Sequence, residues 1–242
     1  MAESMKEGIK MKYVGFVQYG TMFSYRMSIK KLGMKIKIEK GKDIMPYLKE
    51  KNMAIYIDSG MLYFRLYRPN GTYVQLMAFN SGVILPLFEP RKDFLYSDIE
   101  MLVAAREEVT GFVFPMRYYM YMKKTDLEFA KLLNEQWMNI TSYLCVAQIL
   151  YRDGECLTRV SNLLFHVYFY KDYDSKVFPI NQEELAYTVN ASKSQVKRAL
   201  TCLRDEGGIE LQYEQIIIKD ISIIEKHISD SMRAEELSIA ES

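Results

Sequence analysis

The chain has 242 residues, 49% of them hydrophobic and 26% charged, with a formal net charge of +1. That is the balance of a globular protein with real cores; it excludes a disordered chain, and no apolar run is long enough for a signal peptide or a transmembrane span. Three scattered cysteines without a CxxC pair argue against a disulfide framework or a zinc site, and predict buried or half-buried thiols in a reducing cytoplasm.

The near-neutral charge hides an asymmetry. Residues 1–68 hold fourteen Lys/Arg against six Asp/Glu, whereas residues 153–228 hold nine against twelve. The C-terminal region is therefore net acidic, and any positive field there must be local.

Residues 1–30 give no clear period; the Tyr-, Phe- and Met-rich stretch from Lys10 to Arg26 suits a strand, an arm or a short helix. From Met34 the pattern turns to β. Met34, Ile36 and Ile38 alternate with Lys35, Lys37 and Glu39. Runs follow over Ala54–Ile57, Met61–Tyr67 and Thr72–Phe79, the last two joined by Pro69-Asn70-Gly71, a hairpin signal. Val83–Phe88, a polar segment at Glu89–Asp93, a run through Leu102–Ala104 and Glu108–Met116 complete about eight short strands. Their spacing predicts a small antiparallel roll or barrel of the cupin or jelly-roll kind over residues 1–124.

Helical spacing begins near Lys124. Ala130, Leu133, Trp137, Ile140, Leu144, Ala147 and Tyr151 recur at intervals of three and four, a heptad seam. Over residues 125–152 this predicts either a parallel homodimer helix or a helix laid on the chain's own roll. Glu155–Phe169 is a second helix, and Lys171–Lys176 a polar loop.

Residues 181–206 read as two helices joined by a turn. Leu185, Ala186 and Val189 form one apolar stripe, and Val196, Ala199, Leu200 and Leu203 another. Asn190 tolerates a left-handed backbone and Ser192 suits a helix cap. The second helix presents Lys193, Ser194, Gln195, Lys197, Arg198 and Arg204, and no acid stands between Leu185 and Arg204. Gly207-Gly208 stops it, and Ile209, Leu211 and Tyr213 start a hairpin that suits a wing. A helix pair with a basic second helix and a wing is a DNA-reading unit, here predicted over residues 153–228, with residues 229–242 as a frayed tail. In this reading Gln195 pairs with adenine and Arg198 with guanine, Lys193 and Ser194 touch phosphate or a base edge, and Arg204 holds a phosphate or caps an acid.

The order of roll, long helix and winged helix-turn-helix resembles the Crp/Fnr family of bacterial transcription regulators. The resemblance is strongest over Ile180–Ala186, Ala191–Leu200 and Leu203–Ile209, with Arg159-Val160 before them. In the roll it rests on layout alone: Lys40-Gly41, Ile57–Gly60 and Asn70-Gly71. It implies an α+β chain whose roll senses an effector, a cytoplasmic homodimer, a palindromic double-stranded DNA operator, and RNA polymerase as a partner. The family's cyclic-nucleotide members carry Gly-Glu and Arg-Ser/Thr around the phosphate. Here Gly82–Phe88 has no such Glu and no Arg precedes Ser97, which argues against cAMP. Without N-terminal cysteines an iron–sulfur cluster has no ligands, and His166 and His227 lie too far along the chain for haem in the roll.

For the effector, Tyr56, Tyr63, Phe64, Tyr73, Phe79 and Leu85 are candidate pocket residues, with plain core as the alternative. No grouping of catalytic residues or metal ligands is visible at sequence spacing, which argues against an enzyme and leaves a ligand-free, constitutive DNA-binding or interaction module as the competing reading.

Overall fold

The computed structural model describes residues 17–18, 20–67, 73–86, 100–152, 154–170 and 176–233. Pro69-Asn70-Gly71, Glu89–Asp93, Leu95–Ser97, most of the 171–176 loop and the end of the tail lie outside them. The chain forms two compact units, one over residues 16–145 and one from residue 146 onward.

In the first unit eight strands build two four-stranded sheets. One runs β1 (Val17–Gln18), β5 (Tyr73–Phe79), β4 (Leu62–Tyr67), β7 (Glu100–Ala105). The other runs β2 (Met34–Ile38), β8 (Val109–Pro115), β3 (Met53–Ser59), β6 (Ile84–Leu85). Every pairing is antiparallel except β1 on β5, which is parallel. Strands β4 and β5 pair antiparallel as the hairpin signal predicts, Tyr67 opposite Tyr73, with a bulge after Phe64.

Period-two alternation divides the side chains. Ile55, Ile57, Leu62, Phe64, Met77, Phe79, Leu85, Val103 and Val113 meet in one core. From the other face of β3 and β8, Ala54, Tyr56, Phe112 and Phe114 meet Met22 and Ile29 in a second. Met34 departs from the expected inward row and is 66% exposed. It starts an edge strand, where one face has nothing to pack on.

Three short elements have no clear sequence period. Residues Met22–Tyr25 form a 3₁₀ turn that runs into α1 (Arg26–Leu32). Helix α2 (Met45–Lys49) starts where Asp43 Oδ1 accepts from the Met45 amide, with Pro46 in its first turn. Helix α3 (Met116–Thr125) follows β8 directly and places Tyr119 in the second core. Five to ten residues with mixed apolar content give too few turns for a helical period to show.

Helix α4 (Leu127–Arg152) is the long helix. Asp126 precedes it and anchors its start: its carboxylate accepts from the Phe129 amide at 3.1 Å and from the Tyr25 hydroxyl at 2.7 Å. Burial and this hydrogen bond push the Tyr25 hydroxyl up to about 12. Phe129 meets Tyr25 and Tyr119 edge to face, at 5.0 and 6.1 Å between ring centres.

The heptad seam needs correction as a dimer surface. Leu133 is buried in the second core, Ile140 in the first, and Leu144 packs against it. Ala147 and Tyr151 are buried in the other unit, where Tyr151 stands edge to face on His166 at 5.7 Å. Ala130 is half-buried and Trp137 is 36% exposed. A stripe at this spacing satisfies whichever apolar surface lies nearest, and most of it is used within the chain. The exposed stripe sits one position over: Asn134, Met138, Thr141, Cys145 and Gln148, again at intervals of four and three.

The second unit holds α5 (Cys156–Tyr170), α6 (Gln182–Thr188), α7 (Lys193–Asp205) and α8 (Ile221–Glu225). Its three-stranded sheet runs β10 (Ile209–Gln212), β11 (Gln215–Ile218), β9 (Val177–Phe178), so the wing gains a third strand from before the helix pair. The tail expected to fray from Ser229 is packed as far as residue 233. Asn162 Oδ1 accepts from the Ser229 amide at 2.9 Å, and Met232 is fully buried. One apolar side chain and one buried amide suffice to hold a helical turn that a polar average hides.

Among the described residues no helix is long and apolar enough to cross a membrane. The Tyr56 hydroxyl is buried and has no hydrogen-bond partner among the described residues. Tyr56→Phe is therefore expected to hold stability or raise it by up to about 1 kcal/mol, read by urea denaturation; a loss beyond about 1 kcal/mol would show that the hydroxyl is satisfied in solution.

Candidate nucleic-acid interface

The helix pair is set by its ends. Asn181 caps α6, its side chain accepting from the Glu184 amide at 2.8 Å, and Glu183 and Glu184 occupy the first turn, where the helix dipole favours acids. The connecting turn places Asn190 at a φ of 49°, the left-handed conformation its side chain tolerates.

Ser192 caps α7 in a full capping box: its Oγ accepts from the Gln195 amide, and Gln195 Oε1 accepts from the Ser192 amide at 2.9 Å. At the far end Gly207 has a φ of 84°. The Gly207 amide donates to Arg204 and the Gly208 amide to Leu203, the double closure that a left-handed glycine permits.

Val196, Ala199, Leu200 and Leu203 are all buried, which turns the opposite face of α7 outward. The turn itself is held from α5. Arg159 Nη1 donates to the carbonyls of Val189 and Asn190 at 2.7 and 3.0 Å. These are carbonyls that the end of α6 leaves unpaired, so one guanidinium fixes the angle between the two helices.

The exposed polar residues of α7 are not equivalent. Lys193 is bound to Glu183 at 2.9 Å, which ties the start of α7 to the start of α6 and holds the ammonium's pKa above its usual value. Arg204 forks onto Asp205 at 2.9 and 2.7 Å, the acid-capping alternative of its sequence reading. Ser194 Oγ lies 3.0 Å from Ser192 Oγ. Gln195 has its amide oxygen committed to the cap. A bidentate adenine pair needs that oxygen and the amino group together, so base reading and capping compete for one side chain.

Lys197 and Arg198 are exposed, and neither makes a hydrogen bond or ion pair among the described residues. Arg198 acts by charge on Cys156, whose thiol is pushed up by burial and drawn back by Arg159 and Arg198. Their uncompensated charge is the local field that an acidic domain needs in order to meet phosphate.

One residue had no clear sequence signal. Tyr213 stands at the tip of the β10–β11 hairpin and is 89% exposed, with Glu214 beside it at a φ of 52°. The alternation of Ile209, Leu211 and Tyr213 suggested a strand position, whereas the strand ends at Gln212 and Tyr213 belongs to the two-residue turn.

The six effector candidates divide between places. Phe64, Phe79 and Leu85 belong to the first core of the roll and Tyr56 to the second. Tyr63 and Tyr73 lie with Arg65 on the other face of β4 and β5, the guanidinium 4.9 and 4.6 Å from their ring centres. Gln75 accepts from Arg65 at 3.5 Å on the same face. Alternation along each strand separates residues that neighbour one another in sequence.

Ser192→Ala is expected to cost the domain about 1 kcal/mol in thermal unfolding, the usual worth of a helix cap. Gln195→Glu keeps the capping box; in binding to randomised duplexes it should lower affinity across all sequences and leave the preferred sequence unchanged. A changed preference would show that Gln195 leaves the cap to read a base.

Residues 158–226 match the Crp-like helix-turn-helix domain family. No curated protein matches the sequence. Among solved structures the chain is similar to CprK complexed with OCPA, at 12% identity, TM-score 0.66, 86% of this chain and 98% of that one. It is similar to FixK2 from Bradyrhizobium japonicum at 12% identity, TM-score 0.62, 81% of this chain and 98% of that one. A further likeness is to a putative transcriptional regulator of the Crp/Fnr family from Eubacterium rectale, at 17% identity, TM-score 0.63, 84% of this chain and 93% of that one. The C-terminal unit therefore carries a Crp-like helix-turn-helix domain, and the chain has the fold of the Crp/Fnr family of transcription regulators.

Proposed function

We propose that the protein is a homodimeric bacterial transcription regulator, working in the cytoplasm, that reads a palindromic operator with α7 and responds through its roll to a small effector other than cAMP. The observation that carries the DNA-reading half is the exposed, unpaired cation pair Lys197 and Arg198 on a helix capped at both ends. Arg198 reads a guanine edge in the major groove, Lys197 and Ser194 meet phosphate or a neighbouring base, and Tyr213 at the wing tip lies against the flanking backbone. RNA polymerase is the protein partner of this reading.

Dimerisation through the exposed stripe of α4 completes it. Met138 is 60% exposed in the middle of that stripe, and Cys145 is exposed one heptad further on. In a parallel pair of helices each of these positions faces its own copy. Two recognition helices are then presented to half-sites about one helical turn apart.

For the effector, support comes from two polar atoms that the roll leaves unsatisfied around Ile84. Gln136 Nε2 donates to the Ile84 carbonyl while its Oε1 has no partner among the described residues, and Tyr56, paired with Ile84 across β3 and β6, carries the hydroxyl likewise without one. A ligand that satisfies these atoms in one pose of the dimer would shift the population toward that pose. Against cAMP stands the Gly82–Leu85 stretch. The Gly82 amide donates to Ile57, Val83 to Leu85 are buried, and a side chain at Gly82 would meet the Phe23 ring at 2.5 Å. A committed Gly82 amide and buried neighbours make that segment a poor cradle for a phosphate.

The apolar clusters of the roll, into which four of the six effector candidates pack, favour a second reading, a constitutive DNA-binding protein with no effector. A thermal-shift screen of small metabolites separates the two, since a ligand of the roll raises the melting temperature and a constitutive regulator shows no such ligand.

Arg198→Ala is expected to cost about 1–3 kcal/mol in operator binding and to relax preference at one base pair of each half-site. Met138→Asp should convert the dimer to monomers in sedimentation while the circular dichroism of the fold persists, with palindrome binding lost. Unchanged affinity and preference in the first variant, or an intact dimer in the second, would overturn the corresponding half of the reading.

A further inference from the structure

Cys202, Glu206 and His227 bring three metal-ligand types together at the end of α7. One ligand atom from each lies within 4.8 Å of the others. Glu206 bridges the group: its Oε2 is 2.8 Å from His227 Nε2, and the Cys202 thiol donates to its Oε1 at 3.1 Å. We propose that these three side chains form a Zn²⁺ site in the DNA-binding domain.

The backbone around the three residues is fixed. Cys202 in the last turn of α7 and Glu206, which caps its C-terminus, are four apart and lie on one side, beside the fully buried Leu203. His227 stands between Ile224 and Ile228, both buried, and its amide donates to the Ile224 carbonyl. Gly208 allows the approach of the two segments, since a Cβ there would lie 2.9 Å from Ile223 Cγ2. The side chains therefore need only rotamer adjustments to ligate.

The chemistry selects the ion. Thiolate, imidazole and carboxylate are the three ligand classes of zinc, at about 2.3, 2.0–2.1 and 2.0–2.2 Å. Tetrahedral angles then put ligand atoms about 3.3–3.6 Å apart, which the Glu–His and Cys–Glu gaps reach by opening slightly. The mixed set is too soft for Mg²⁺ or Ca²⁺. Three protein ligands leave a fourth position for water. Asp205 acts on Cys202 by charge, but its carboxylate is held by Arg204.

The order of contacts argues against a nucleophilic cysteine. Such a thiol needs the imidazole as its direct neighbour and base. Here the carboxylate stands between, and it pushes the Cys202 thiol up rather than down. On ligating, the thiol releases its proton to solvent. The bound ion joins the last turn of the recognition helix to the segment after α8, so it stabilises the domain from the side opposite the DNA-reading turns. This inference rests on the domain's own geometry and holds whether or not α7 reads DNA.

The test uses the full chain, stripped with chelator and kept reduced. Calorimetric titration with ZnCl₂ should give one ion per chain, and saturating Zn²⁺ should raise the melting temperature by several degrees. Co²⁺ in its place should give a near-ultraviolet thiolate-to-metal band. Cys202→Ser should remove that band, whereas Cys145→Ser and Cys156→Ser should keep it. Glu206→Gln and His227→Ala should each weaken Zn²⁺ by at least about tenfold, since even supporting groups of a metal site are worth 10–100-fold. No stoichiometric ion in the unaltered protein, or a cobalt band that survives Cys202→Ser, would overturn the site. The first of these needs no variant to fold.

Discussion

Four buried side chains on one helix set the terms for the C-terminal unit. Val196, Ala199, Leu200 and Leu203 sit at helical spacing and are almost wholly removed from water. Each contributes roughly 1.5–3 kcal/mol when buried, Ala199 less. No rotation of α7 can keep that stripe inside and turn another face out. The outward residues are therefore fixed by the inward ones, and the charge on the outer face is a consequence of packing rather than a choice independent of it. The caps at Ser192 and Gly207 then fix where the helix starts and stops, and Arg159 fixes its tilt against α6.

Within that frame the helix economises on free charge. Lys193 is spent on Glu183 and Arg204 on Asp205, while the Gln195 oxygen closes the cap. What is left for a polyanion is the adjacent pair Lys197 and Arg198. On a domain of net negative charge, that pair is the local positive field that the outer face of α7 presents. The exposed ion pairs add little stability by themselves. Their effect is to decide which side chains stay available.

Sequence periodicity showed what depends on neighbours close along the chain. The central strands of the roll, the hairpin at β4–β5, the caps of α7, the left-handed Asn190 and the two-stranded part of the wing follow from spacing and local residue chemistry. What it missed depends on distant partners. The heptad from Ala130 to Tyr151 has the same spacing whether it faces a second chain or the chain's own roll, and only the position of Leu133 and Ile140 in the roll's cores decides. The effector candidates were chosen by composition, and alternation distributed them over opposite faces. Helices α1 to α3 are too short to show a period. The Cys202, Glu206, His227 cluster was invisible because its members are separated by four and twenty-one positions, and the last arrives only through the turn after α8.

The same distinction separates what specifies a roll from what specifies a ligand site. A β-roll is specified by alternation and turns, which many apolar sequences satisfy. A phosphate site is specified by a few charges and free amides, and a single loss undoes it. At Gly20 and Gly82 the backbone approaches so closely that a Cβ on Gly20 would lie 1.7 Å from the Gly82 oxygen, and Phe23 fills the space over Gly82. Phe23, itself partly exposed, covers this corner, and the Met22 amide donates to that oxygen. Close backbone and apolar packing occupies that corner. Among the described residues, buried polar atoms without a partner lie instead beside Ile84, at the Tyr56 hydroxyl and Gln136 Oε1.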